Sequence, residues 1–112
     1  MHEMSITQGI IDICEKHAAG RRVRSLDVEI GDLSGVVTEA VEFCFEACSL
    51  GTLLEGARLS ITRIPGLGRC RKCGEDTPLE ELFAACRNCG GYQITILTGE
   101  EMRVREIEVD DL

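Results

Sequence analysis

Two short stretches in the second half of the chain carry its clearest chemistry. "CRKCG" and "CRNCG" place Cys70 and Cys73, then Cys86 and Cys89, each pair separated by two residues and followed by a glycine, Gly74 or Gly90. Two residues between thiolates let one tight turn aim both sulfurs at a single ion, and the glycine permits the positive φ that closes the turn. Two such knuckles facing each other supply four thiolates tetrahedrally, the ligand set of a structural Zn2+ site. A closed four-thiolate shell leaves no position for water or substrate, so the expected role is structural rather than catalytic. Zinc binding at sites of this type is worth on the order of 10 kcal/mol, enough to fold a segment with little core of its own.

A second candidate lies in the opening "MHEMSI". An α-amine titrates near pH ~8, so a metal can claim it at modest cost. With histidine second, one ion can take the amine of Met1, the backbone nitrogen of His2 and the imidazole of His2 in one plane. Displacing an amide proton in this way suits a metal with a strong square-planar preference, Ni(II) or Cu(II), and brings zinc little. A fourth position is then left for Glu3, water or a ligand from a partner. The other cysteines, Cys14, Cys44 and Cys48, and the remaining histidine, His17, fall within helical patterns. There they read as small core residues and as a dipole-paired side chain at a helix end.

The elements that must hold these groups are legible as alternating periodicities. "SITQGIIDICEKHAAG" reads as a helix with a capping box of Ser5 and Gln8 and a buried face of Ile6, Ile10, Ile13 and Cys14. A cap at Ser5 would make the terminus project from a fixed point. "VRSLDVEIG" alternates as a half-buried strand, with Leu26, Val28 and Ile30 inward and Asp27 and Glu29 outward. "VTEAVEFCFEACSLG" predicts a second helix with Val37, Ala40, Val41, Cys44 and Cys48 on one face, and "ARLSITRI" a second strand. A helix between the two strands implies a crossover and parallel pairing. "PGLG" marks a hinge into the cysteine region, after which "QITIL" and "EMRVREIEV" are strand-like, and the last segment returns to the first sheet as its third strand.

The expected fold class is therefore α+β: two helices packed on a small mixed three-stranded sheet, with an inserted four-cysteine zinc-ribbon domain. The boundaries expected are 1–65 and 98–112 for the α+β domain and 66–97 for the ribbon.

Composition narrows the partners. The chain has 112 residues and a net charge of −8, which argues against the nucleic-acid phosphate backbone. Around the ribbon, Arg69, Arg71, Lys72 and Arg87 are diluted by Glu75, Asp76, Glu80 and Glu81, and only Phe83 and Tyr92 offer faces for stacking on bases. No apolar run approaches the ~20 residues of a membrane span, and seven cysteines without an export signal fit metal ligands and free thiols, so a cytoplasmic setting is expected. No open metal site, no nucleophile with a supporting base and no phosphate-cradling loop is present, so an enzyme is not expected.

"MHEMSI" at the start, "IGDLSGV", "FCFEACSLGTLLEGARLSI", the two CxxC knuckles and "GEEMRVREIEV" together resemble, in order and spacing over nearly the whole chain, the HypA/HybF family of nickel-insertion accessory proteins. The resemblance implies a small nickel-binding domain with an inserted zinc domain. It also implies delivery of Ni(II) to the NiFe-hydrogenase large-subunit precursor, in concert with a HypB-type GTPase, and in some organisms a contribution to urease maturation. It maps the nickel residues onto Met1, His2 and Glu3 and the zinc ligands onto Cys70, Cys73, Cys86 and Cys89. Neither knuckle carries a neighbouring histidine. The protein is expected as a monomer or homodimer without membrane or nucleic-acid partners. The competing reading is a zinc-ribbon adaptor that binds protein or nucleic acid, in which His2 is incidental.

Overall fold

The computed structural model describes residues 3–111. Its elements run α1 (Glu3–Ala18), β1 (Val23–Gly31), a single 3-10 turn (Asp32–Ser34), α2 (Thr38–Cys48), β2 (Arg58–Ile64), β3 (Gly66–Cys70), β4 (Asp76–Leu79), β5 (Ile94–Thr98) and β6 (Met102–Val109). They form two compact units. The first takes residues up to Glu29, Val36–Thr62 and the chain from Arg103 onward; the second takes Ile30–Gly35 and Arg63–Met102.

In the first unit the sheet order is β2-β1-β6. Asp27 pairs with Arg105, Glu29 with Arg103 and Arg24 with Glu108, so β6 runs antiparallel to β1. Along the other edge, Arg22 donates to the Glu55 carbonyl and the Thr62 hydroxyl to Asp27; partners rise together, as in the parallel pairing that a crossover through α2 requires. The sheet is thus mixed, as expected. Leu26 and Val28 are buried on one face, and the carboxylates of Asp27 and Glu29 lie on the other face against their arginines.

Both helices differ from expectation in which residues they bury. α1 begins at Glu3, so Ser5 lies exposed inside the first turn and forms no cap, and Gln8 donates to Asp12 at 2.9 Å instead. Glu3 in the first turn suits the helix dipole, and the Thr7 hydroxyl donates to the Glu3 carbonyl at 2.7 Å, which tightens that turn. The buried residues are Ile6, Ile10, Cys14 and Ala18 with Thr7 and Ile11; Ile11 is fully enclosed, and Ile13 stands 49 % exposed. α1 packs against α2, and this second neighbour moves the buried stripe away from Ile13 towards Thr7 and Ile11. In α2, Val37 is the N-cap residue and is exposed, while Thr38, Val41 and Phe45 are buried and Cys44 and Cys48 lie half-buried at the flank. With Leu54 and Val23, these side chains close the core of the unit.

The second unit is built on an antiparallel sheet of order β4-β3-β5. Its central strand is the "GLGRC" stretch, so the expected hinge at 65–68 is instead the middle of a sheet. Glycine is needed there for closeness rather than for turning. A Cβ on Gly66 would meet the Leu79 carbonyl, and one on Gly68 would meet the Ile94 side chain and Leu79 Cδ1. β4, "DTPL", has no counterpart in the sequence reading. Pro78 is tolerated because β4 is an edge strand, and Thr77 and Leu79 turn inward. Among the described residues no helix is long and apolar enough to cross a membrane.

Candidate metal centre

β3 ends at Cys70 and so delivers the first sulfur of the four. In the first knuckle the Gly74 N–H donates to the Cys70 carbonyl at 2.8 Å, and the Cys70 N–H donates to the Glu75 carbonyl at 2.9 Å. The second repeats both bonds: Gly90 N–H to the Cys86 carbonyl at 2.8 Å, and Cys86 N–H to the Gly91 carbonyl at 2.7 Å. Gly74 and Gly90 close these turns at φ of 80° and 74°. A side chain at either would be strained in that left-handed conformation.

The knuckles bring all four sulfurs within 4.8 Å of one another. Cys70 and Cys89 approach to 3.6 Å, Cys73 and Cys86 to 3.7 Å. A tetrahedron with metal–sulfur bonds of about 2.3 Å has sulfur–sulfur edges of about 3.8 Å, so this donor set fits Zn2+ in both chemistry and size. Among the described residues this is the one group of three or more His, Cys, Asp or Glu placed to share an ion. Cys70 and Cys86 are buried, whereas Cys73 and Cys89 are exposed, so each knuckle contributes one inner and one outer sulfur.

Backbone dipoles prepare the inner sulfurs as ligands. The Cys73 N–H, with that of Lys72, lowers the Cys70 thiol to about 6 against the burial that opposes it. The N–H groups of Cys89 and Asn88 likewise lower Cys86. At Cys89 the Gly91 N–H favours the thiolate, but the neighbouring sulfurs, Cys70 foremost, and burial outweigh it and push that thiol up to about 11. Without a cation the cluster therefore retains protons, because thiolates this close repel one another. A divalent ion bound by the four sulfurs would replace those protons.

Residues that the spacing of cysteines does not announce also build the site. Thr77, fully buried on β4, accepts the Arg87 N–H at 3.3 Å and ties the second knuckle to the sheet of the first. Asn88 Nδ2 donates to Cys73 Sγ at 3.6 Å across the cluster. The only sequence trace of the Thr77 role is its alternation with Leu79; the carbonyls of Glu75 and Gly91 leave none. Arg69 is held by Asp76 at 2.9 Å, while Phe83 and Tyr92 project into solvent.

Of the residues expected to hold nickel, Met1 and His2 lie outside the described residues. Glu3 is the first residue of α1, its carboxylate 3.5 Å from the Val37 N–H at the start of α2. It belongs to the first unit and the four cysteines to the second. Elsewhere, Cys14 is enclosed in the core of the first unit, where burial pushes its thiol up to about 11. That environment suits an inert core thiol rather than a ligand.

Comparison with known proteins bears on the whole chain. A family model described as hydrogenase/urease nickel incorporation, metallochaperone, HypA matches residues 1–109. The hydrogenase maturation factor HypA of Geobacter metallireducens is 58 % identical over 110 residues, which covers 98 % of this chain and all of the relative. Its namesake from Nostoc punctiforme is 49 % identical over 112 residues, covering 100 % of this chain and 98 % of the relative. The solution structure of the Ni metallochaperone HypA from Helicobacter pylori superposes with a TM-score of 0.71 at 26 % identity, covering 97 % of each chain.

Proposed function

The chain belongs to the HypA family of hydrogenase maturation factors, nickel metallochaperones rather than enzymes, and from that premise we propose that it binds Ni(II) at its N-terminus and delivers it to the NiFe-hydrogenase large-subunit precursor. The observation that supports this reading is the family match, which runs from residue 1 through both knuckles and so spans "MHE". Nickel is the cargo. Met1 supplies the amine, His2 the amide and imidazole nitrogens, and Glu3 the carboxylate nearest to them in the chain. The contact between Glu3 and the Val37 N–H is long for a hydrogen bond and is readily exchanged for an ion.

Such a chelate can both hold and release. Amine and imidazole are each reprotonated as pH falls, so affinity for nickel declines below about pH 7. Thiolates of the hydrogenase precursor then take the ion as softer ligands. The four-cysteine site holds Zn2+ throughout and supplies structure only. A HypB-type GTPase and, in some settings, the urease maturation machinery are the further partners of this reading.

The test is a Ni(II) titration of the untagged, zinc-loaded protein beside its His2→Ala variant, followed by calorimetry and d–d absorption. One tight site with a square-planar spectrum, lost in the variant, supports nickel carriage by "MHE". Equal binding by the two proteins would make His2 incidental and favour a zinc-ribbon adaptor.

A further inference from the structure

From the outward face of α2 we infer a docking surface for a cationic, amphipathic segment of a partner protein. The helix buries Val41 and Phe45 on one side, and on the other it and the turn that follows present apolar side chains to solvent. Phe43, 79 % exposed, and the exposed Ala47 lie one turn apart on the helix, and Leu50, 66 % exposed, follows in the turn just past the helix end at Cys48. Exposed apolar side chains gathered in one patch mark interaction sites more often than singly scattered ones do.

Charge says what covers this patch. Between Arg24 and Arg58 the chain has no Lys, Arg or His, yet it carries Asp27, Glu29, Asp32, Glu39, Glu42, Glu46 and Glu55. Asp27, Glu29 and Asp32 are each paired with an arginine. Glu39, Glu42 and Glu46 on α2 have no ion-pair partner among the described residues. Uncompensated acid is thus concentrated beside the exposed apolar patch.

The two features meet at the C-terminal end of the helix. A shallow cavity of about 510 Å³ opens there, with Phe45, Leu50 and Ala57 as its apolar lining and Glu46 and Glu55 among its polar groups. One oxygen of Glu55 accepts the Gly51 N–H, and Arg22 donates to the Glu55 carbonyl rather than to its carboxylate. The negative end of the α2 dipole adds to the same field. A segment bearing Lys or Arg next to Leu or Phe therefore gains both burial and charge complementarity here. A second copy presenting the same face would set acid against acid, and nucleic acid or an anionic membrane would be repelled.

This surface stands apart from nickel carriage, since Glu3 meets α2 at its opposite end, by Val37. The probe is a synthetic leucine–lysine amphipathic peptide, with the same peptide carrying Glu for Lys as control. Both are titrated into the zinc-loaded full chain, labelled with 15N, and read by amide shifts and by fluorescence anisotropy at low and high salt. The leucine–lysine peptide should shift amides over residues 42–57 and bind more weakly in salt. Glu42→Gln with Glu46→Gln should weaken binding about tenfold, and so should Phe43→Ser with Leu50→Ser. Glu106→Gln with Glu108→Gln, acids of β6, should not. Shifts confined to other acidic surfaces, or equal binding by the α2 variants, would overturn the assignment. So would a dimer that the Phe43→Ser, Leu50→Ser pair converts to monomer in sedimentation equilibrium, because a second copy would then be the occupant. Nickel titration of the same variants should match the parent, which separates failure here from failure of the nickel reading.

Discussion

Thr77 sits between the two knuckles in sequence and joins them in space. Its buried hydroxyl accepts the Arg87 N–H, so the loop that carries Cys86 and Cys89 is tied to the strand beside Cys70. Thr77→Val keeps the volume and β-branching of the side chain and removes the acceptor. The loss should be about 1 kcal/mol, which weakens zinc about fivefold in competition with a chromophoric chelator. Unchanged affinity would show that the sheet alone holds the knuckles. At this scale the sequence was legible where identity and spacing coincide, as in the four cysteines. It was silent where the support of those ligands is made of backbone, as at the carbonyls of Glu75 and Gly91, or of a single hydroxyl.

At the scale of elements, both helices and the strands β1, β2, β5 and β6 could be read from the sequence, because each sets a more covered face against a more exposed one. What could not be read is how that face is divided among neighbours. α1 has both the sheet and α2 to cover, which encloses Ile11 and leaves Ile13 at the margin. Ile11→Ala should therefore cost about 2–5 kcal/mol in urea denaturation, and Ile13→Ala well under half of that. Equal costs would contradict the burial. The "GLG" of β3 misled for a different reason. Glycines are the usual mark of turns, yet here they admit a neighbouring backbone and side chain, a demand set by residues Leu79 and Ile94 far along the chain. β4 was missed because four residues containing a proline have no period to read. It is a strand only through pairing with β3.

For the whole molecule, the two units should depend differently on metal. The first has its own apolar core in Ile11, Val28, Val41 and Leu54. In the second, apart from Ile30 and Leu33, the buried hydrophobic side chains are Leu79 and two of the ligand cysteines themselves. Chelation of zinc, or acid that protonates the thiolates, should disorder the second unit and leave the helices of the first intact. Amide spectra would lose the dispersed signals of β3–β5 while far-UV dichroism kept its helical minimum. A single cooperative loss of both would refute this independence.

The split of each knuckle into one inner and one outer sulfur also sets a route for exchange. A competing chelator or thiol meets Cys73 and Cys89 first, one on each loop, while Cys70 and Cys86 are shielded. Departure by that route is associative: the newcomer bonds before the old ligands let go, one half of the grip at a time. Zinc loss should then accelerate in proportion to chelator concentration instead of levelling off at a fixed spontaneous rate. A site that is thermodynamically tight can in this way remain kinetically open to the right visitor.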